Sequence, residues 1–184
     1  MKVINMFGSP GCGKSTQAAG LFYKMKLAGL NVELVTEYAK DLVWQDRLDS
    51  MADQQDYIFA KQHHRLHRLR GKVDYVVTDS PIILGIAYMK HHNVPVIHDL
   101  VTLMLSTFNR FDNFNFLLER GDIPYKAEGR RQDEVGSNDV GNDIKRILMD
   151  NSIRHIPVVV NPGQLTVTEM NRHVREQLVD KYPL

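Results

Sequence analysis

The chain has 184 residues, 43% hydrophobic and 24% charged, with 23 Lys and Arg against 22 Asp and Glu and a formal net charge of +1. That length suits one domain, residues 1–184, able to bury roughly 70% of the surface of the extended chain, and the composition excludes disordered, collagen-like and coiled-coil classes. The balanced charge gives no global attraction to nucleic acid or to an anionic membrane. The lone cysteine, Cys12, leaves no disulfide framework and no Cys-based zinc cluster, so a reducing, cytoplasmic setting is expected. Met1–Phe7 carries one charge and a short apolar run, too little for a signal peptide. Runs such as Leu100–Leu105 stop far short of the roughly 18 apolar residues of a membrane helix. A soluble protein with no membrane partner is expected.

In chain order, the first apolar run, Val3–Phe7, predicts a buried strand, and a helical pattern follows over Ser15–Ala28. Between them stands Gly8-Ser9-Pro10-Gly11-Cys12-Gly13-Lys14-Ser15, which fits G-x-x-x-x-G-K-[ST] in its required strand-to-helix context. Its glycines let backbone N–H groups curl around a phosphate, and the helix N-terminus adds its dipole. Gly8, Ser9, Gly11, Cys12, Gly13, Lys14, Ser15 and Thr16 are the expected nucleotide-binding residues. Lys14 is placed to reach the β and γ phosphates and Ser15 to ligate Mg²⁺. Cys12 reads as a small loop residue and Thr16 as a cap or packing residue behind Ser15.

A second strand over Val32–Val35 delivers Thr36-Glu37-Tyr38 to the same sheet edge, where Glu37 is the candidate base for an acceptor hydroxyl. Tyr38 and Trp44 are candidates to stack on a substrate ring. A helix over Ser50–Arg70 follows. Its late cations, Lys61, Arg65, Arg68 and Arg70 with Lys72 beyond, complement its own macrodipole or hold the phosphates of an extended acceptor such as DNA. His63, His64 and His67 on this helix read as a solvated face, not a metal site, because no third ligand accompanies the i, i+4 pair.

The third strand, Tyr75–Val77, leads into Thr78-Asp79-Ser80. Asp79 at the C-terminal edge is the expected second anchor for Mg²⁺, or else an N-cap for a helix near Ile82. Ser80 stands where a hydrolytic ATPase would carry its water-activating Glu, and no Asn-Lys-x-Asp guanine-reading motif occurs. A substrate hydroxyl is therefore the expected acceptor. Helical patterns over Ile82–Lys90 and His98–Asn109, a strand over Phe114–Leu118, helices over Asn138–Asn151 and Thr166–Lys181 and a strand over Ile156–Val160 complete the series. Strands alternating with helices predict right-handed βαβ units and a parallel sheet covered on both faces. Glu119–Gly136 is poor in apolar residues and reads as a lid, with Arg130 and Arg131 suited to closing over the transferring phosphoryl group.

With these motifs in place, the chain resembles the small P-loop kinases of the thymidylate kinase and ribosylnicotinamide kinase group. The glycine-rich loop, Thr36-Glu37-Tyr38, the Asp79 strand and the Arg-bearing segment carry the resemblance over most of the chain. Phrases such as Thr36-Glu37-Tyr38-Ala39-Lys40 are similar to phage-encoded members, among which are kinases of 5-hydroxymethyluracil in phage DNA. The resemblance implies a five-stranded parallel sheet of order 2-3-1-4-5 and an ATP- and Mg²⁺-dependent kinase. Its acceptor is nucleoside-like, with 5-hydroxymethyluracil in DNA favoured and a free nucleoside, nucleotide or ribosylnicotinamide as the alternative. A non-catalytic nucleotide-binding module is the reading from another class. Thymidylate kinases carry Asp-Arg where this chain has Asp79-Ser80, which argues against a free nucleoside monophosphate.

Overall fold

A computed structural model describes residues 1–45, 54–91, 96–126, 133–161 and 166–177. Five strands, β1 (Lys2–Gly8), β2 (Val32–Val35), β3 (Tyr75–Thr78), β4 (Asp112–Arg120) and β5 (Ile156–Val160), form one parallel sheet of order β2-β3-β1-β4-β5. That is the order the resemblance implies. Central β1 pairs with β3 on one side, Ile4 opposite Val77, and with β4 on the other, Ile4 opposite Phe114.

Alternation along the strands divides the core in two. Ile4 and Met6 face α1 (Lys14–Leu27) and α7 (Thr166–Gln177), packing against Leu21, Met25, Met170 and Val174. Val3 and Phe7 point the other way, onto the face covered by α3 (Gln55–His67), α4 (Gly85–His91), α5 (His98–Phe108) and α6 (Glu134–Asp150). Phe7 is 1% exposed and meets Phe108 edge to face at 6.2 Å, a burial worth about 2–3 kcal/mol. A short helix, α2 (Tyr38–Trp44), follows β2 directly. Among the described residues no helix is long and apolar enough to cross a membrane.

Three departures from the expected boundaries bear on the site. β4 is longer than Phe114–Leu118, because Glu119 and Arg120 continue the ladder opposite Val159 and Val160, and backbone pairing at a sheet's end does not require apolar side chains. α6 starts at Glu134 and not at Asn138, since Asp133 caps it by accepting a 2.8 Å bond from the Gly136 N–H. The connection expected over 119–136 thus narrows to the residues between Arg120 and Asp133. α4 begins at Gly85, after a turn closed by the Leu84 N–H on the Pro81 carbonyl at 2.9 Å, so Asp79 does not cap it. Of the three histidines expected on a solvated face, His64 and His67 are exposed, whereas His63 is half-buried, its ring stacked on Phe59 at 5.9 Å and meeting Phe111 edge to face.

A phosphate cradle and the cavity beside it

The loop joining β1 to α1 adopts the geometry its glycines permit. Gly8, Gly11 and Gly13 have φ of 145°, 82° and 94°, values costly for residues bearing a Cβ. At Gly8 a Cβ would lie 2.5 Å from the Leu118 carbonyl oxygen and 2.6 Å from the Cys12 sulfur. Gly13 occupies the N-cap of α1 without a capping side chain, so the first N–H groups of that helix point at the cradle. Cys12 is fully buried in the core beside α1, and its N–H bonds the Ser9 carbonyl at 3.3 Å. Its part in the loop is structural. The Lys14 ammonium lies over the loop, donating to the Gly8 and Ser9 carbonyls at 2.9 and 3.0 Å. From behind, the buried Ser137 hydroxyl on α6 donates to the Pro10 carbonyl at 2.6 Å.

Asp79 follows β3, the strand beside β1, and is 4% exposed; its Oδ1 is buried with no hydrogen-bond partner. An orphaned carboxylate oxygen is costly unless a cation meets it. Mg²⁺ is held by one or two carboxylates together with hydroxyl, phosphate and water oxygens, so the Asp79 carboxylate and the Ser15 hydroxyl fit that ion.

Beside the cradle lies a cavity of about 270 Å³. Lys14, Ser15, Thr16 and Glu37 line it on the phosphate side. Glu37 is the N-cap residue of α2 but makes no side-chain cap. The lining continues with Gln55, Ile58, Phe59 and Gln62 from α3, then Ile82, Leu84, Tyr88 and Met104. Burial first, and then the nearby Glu37 carboxylate, push the Tyr88 phenol well above its ordinary range, so it is a neutral hydroxyl within the field of Glu37. Sequence reasoning missed Tyr88, for which no local motif exists. It also missed Gln55 and Gln62, although two carboxamides on the i, i+3, i+4, i+7 stripe of an amphipathic helix were a usable signal.

The expected acceptor residues divide. Trp44 lines the cavity at its rim, 69% exposed. Tyr38 is not among the lining residues: its ring packs against Tyr57 at 5.7 Å and under the Arg65 guanidinium at 5.1 Å. Glu37, the extended N-cap residue that lines the cavity, and Tyr38, the first helical residue, do not share a direction. Arg65 is spent on α2, paired with Asp41 and donating to the Thr36 carbonyl at 3.0 Å. Arg68 is the exposed C-cap of α3, about 20 Å along the helix from Gln55. Beyond it Arg70 reaches the Arg110 carbonyl and the Phe111 ring just before β4 begins, at the opposite sheet edge. Arg65 and Arg68 are therefore not brought to the cavity. Arg130 and Arg131 lie outside the described residues. Arg120, by contrast, joins the two flanks of that segment, with the Glu134 carboxylate at 2.7 Å and Tyr125 under its guanidinium.

Residues 3–165 match the family model described as an AAA domain. The chain belongs to that family. No curated protein matches it. Among solved structures, this AAA domain is similar to thymidylate kinase from Ehrlichia chaffeensis, at a TM-score of 0.65 and 16% identity over 96% of this chain and 98% of that one. It is similar to deoxyadenosine kinase from M. mycoides at 0.61 and 17%, over 98% and 100% of the two chains. It is also similar to the NadR protein solved in complex with NR, at 0.75 and 18%, over all of this chain and 53% of that one; the AAA domain spans about half of NadR. At these identities the likeness establishes the fold, that of the P-loop kinases.

Proposed function

We propose that this AAA domain is a kinase that moves the γ-phosphoryl group of ATP to a hydroxyl of a nucleoside-like acceptor. The observation that carries the proposal is one cavity lined both by Lys14 and Ser15 of the phosphate cradle and by Glu37, together with the uncharged side chains of α3. In this reading the cradle N–H groups and Lys14 hold the β and γ phosphates. Ser15 and Asp79 would hold Mg²⁺, which when bound would supply charge neutralisation there. Glu37 orients the acceptor hydroxyl and takes its proton. The acceptor oxygen forms its bond to the γ phosphorus as the bond to the β–γ bridging oxygen breaks, and ADP leaves. Ser80 in place of a second carboxylate supports a substrate hydroxyl, not water, as the nucleophile.

The acceptor favoured by the cavity is a free nucleoside-like molecule. Among the described residues, the only cations lining the cavity are Lys14, which belongs to the cradle, and Lys40, so nothing described on the α3 wall neutralises an acceptor phosphate. The neighbour named deoxyadenosine kinase and the one solved in complex with NR fit a free acceptor of this class. A base carried in DNA, such as 5-hydroxymethyluracil, is less well served, because the cationic end of α3 is not at the cavity mouth. Incubation with γ-labelled ATP and a panel of free nucleosides, nucleotides and hydroxymethylated DNA tests the reading. Label on a free nucleoside is expected, label on DNA alone would replace the acceptor, and label on none would leave a binding module without chemistry.

A further inference from the structure

The first four N–H groups of a helix have no intrahelical partner, and Glu37, the N-cap residue of α2, supplies no side-chain cap to them. The cap arrives from another helix. Gln62, 2% exposed on α3, accepts from the Tyr38 N–H through Oε1 at 2.9 Å and donates from Nε2 to the Thr36 carbonyl at 3.3 Å. One carboxamide thus grips the backbone on both sides of Glu37. Arg65, one turn later, donates to the same Thr36 carbonyl at 3.0 Å and pairs with Asp41 on α2.

We infer that Gln62, assisted by Arg65, is the positioning residue that sets the Glu37 carboxylate against the phosphate cradle; the inference rests on the kinase reading above. The geometry gives the clamp a specific consequence. Gln55, Ile58 and Phe59 line the acceptor side of the cavity from the same helix that carries Gln62. The wall that an acceptor presses on and the turn that bears its base are therefore joined by two hydrogen bonds, and they move as one body. A buried glutamine whose donor and acceptor are both used on the backbone has a fixed orientation. Misplacement of a reacting group by about 1 Å costs up to about 10²-fold in rate, so the clamp acts on turnover and not on ATP binding.

The test combines turnover with amide exchange at Tyr38, followed by NMR, in wild type, Gln62→Met, Glu37→Gln and the double variant. Gln62→Met is expected to speed Tyr38 exchange by about tenfold or more, to lower kcat about tenfold and to leave KM for ATP within about twofold. In the Glu37→Gln background it should cost nothing further, because the group it positions is already disabled. Arg65→Met, nearer the surface and milder for the fold, should repeat the pattern at smaller size. Losses that multiply across the cycle, or unchanged Tyr38 exchange in both variants, would overturn the clamp. Full turnover in Glu37→Gln alone would remove the base itself, a separate result that sinks the reaction scheme and the clamp together. A chain that transfers no phosphoryl group fails the kinase reading on the wild-type measurement and overturns the catalytic role of the clamp with it, even if Tyr38 exchange still reports the cap.

Discussion

At its N-terminal end α3 presents Gln55, Ile58, Phe59 and Gln62 to the cavity, whereas its C-terminal end carries Arg65 and leads to the exposed Arg68. In sequence the second end looks the more functional, since clustered cations suggest phosphate. In the fold the first end meets the phosphate cradle, and the cations answer the negative pole of their own helix and the carboxylate of Asp41. Charge placed along a helix says what it attracts, but the sheet edge it lies against decides whether a ligand reaches it.

That contrast can be broken at graded strength. Lys14→Ala should lower phosphoryl transfer by roughly 10³-fold with thermal stability nearly unchanged, since the ammonium bonds only loop carbonyls and its loss removes charge from the transferring group. Activity within about tenfold of wild type would separate the cradle from the chemistry. Phe59→Ala, at the cavity end of α3 and 7% exposed, should raise KM for the acceptor with ATP affinity unchanged, and cost about 3–4 kcal/mol of stability measured by denaturant. Between the two ends, His63 has its pKa lowered from 6.5, by burial first and then by the charges of His67, Arg110, His64 and Arg70. The fold prefers its neutral form. Its contribution to stability is therefore present above pH 6.5 and lost as pH falls below that through the folded value. His63→Phe should flatten that part of the stability profile, and an unchanged profile would acquit the histidine. Arg68→Gln should do least, leaving transfer to a free nucleoside within about twofold and the salt dependence of any DNA binding unchanged rather than shallower. A large rise in KM for DNA in this variant would restore the polymer as acceptor.

The phosphate cradle was fully legible because its signal is local: a strand, glycines where φ is positive, Lys14 and Ser15 in one run of residues. Asp79 and Glu37 were legible from strand order, since parallel strands deliver their following residues to one edge. Tyr38 was misread because the direction of a side chain in the first turn depends on where the helix begins. Arg65 and Arg68 were misread because a sequence shows that cations are near one another but not that Asp41 and the Thr36 carbonyl consume one of them. Tyr88 was invisible, because it comes within the field of the Glu37 carboxylate only in the folded chain. The boundary at Arg120 was lost for a different reason: an edge ladder accepts charged side chains, so polarity there marked neither the end of the strand nor the start of a loop.

The proposed reaction scheme depends on Glu37 more than on any other residue, because it assigns to Glu37 the proton of the acceptor hydroxyl. Parallel determination of kcat and of ATP Kd for Glu37→Gln tests it most directly. The account predicts turnover reduced by roughly 10²-fold or more with ATP Kd within about twofold of wild type. Turnover and ATP affinity falling together, or turnover left intact, would contradict it.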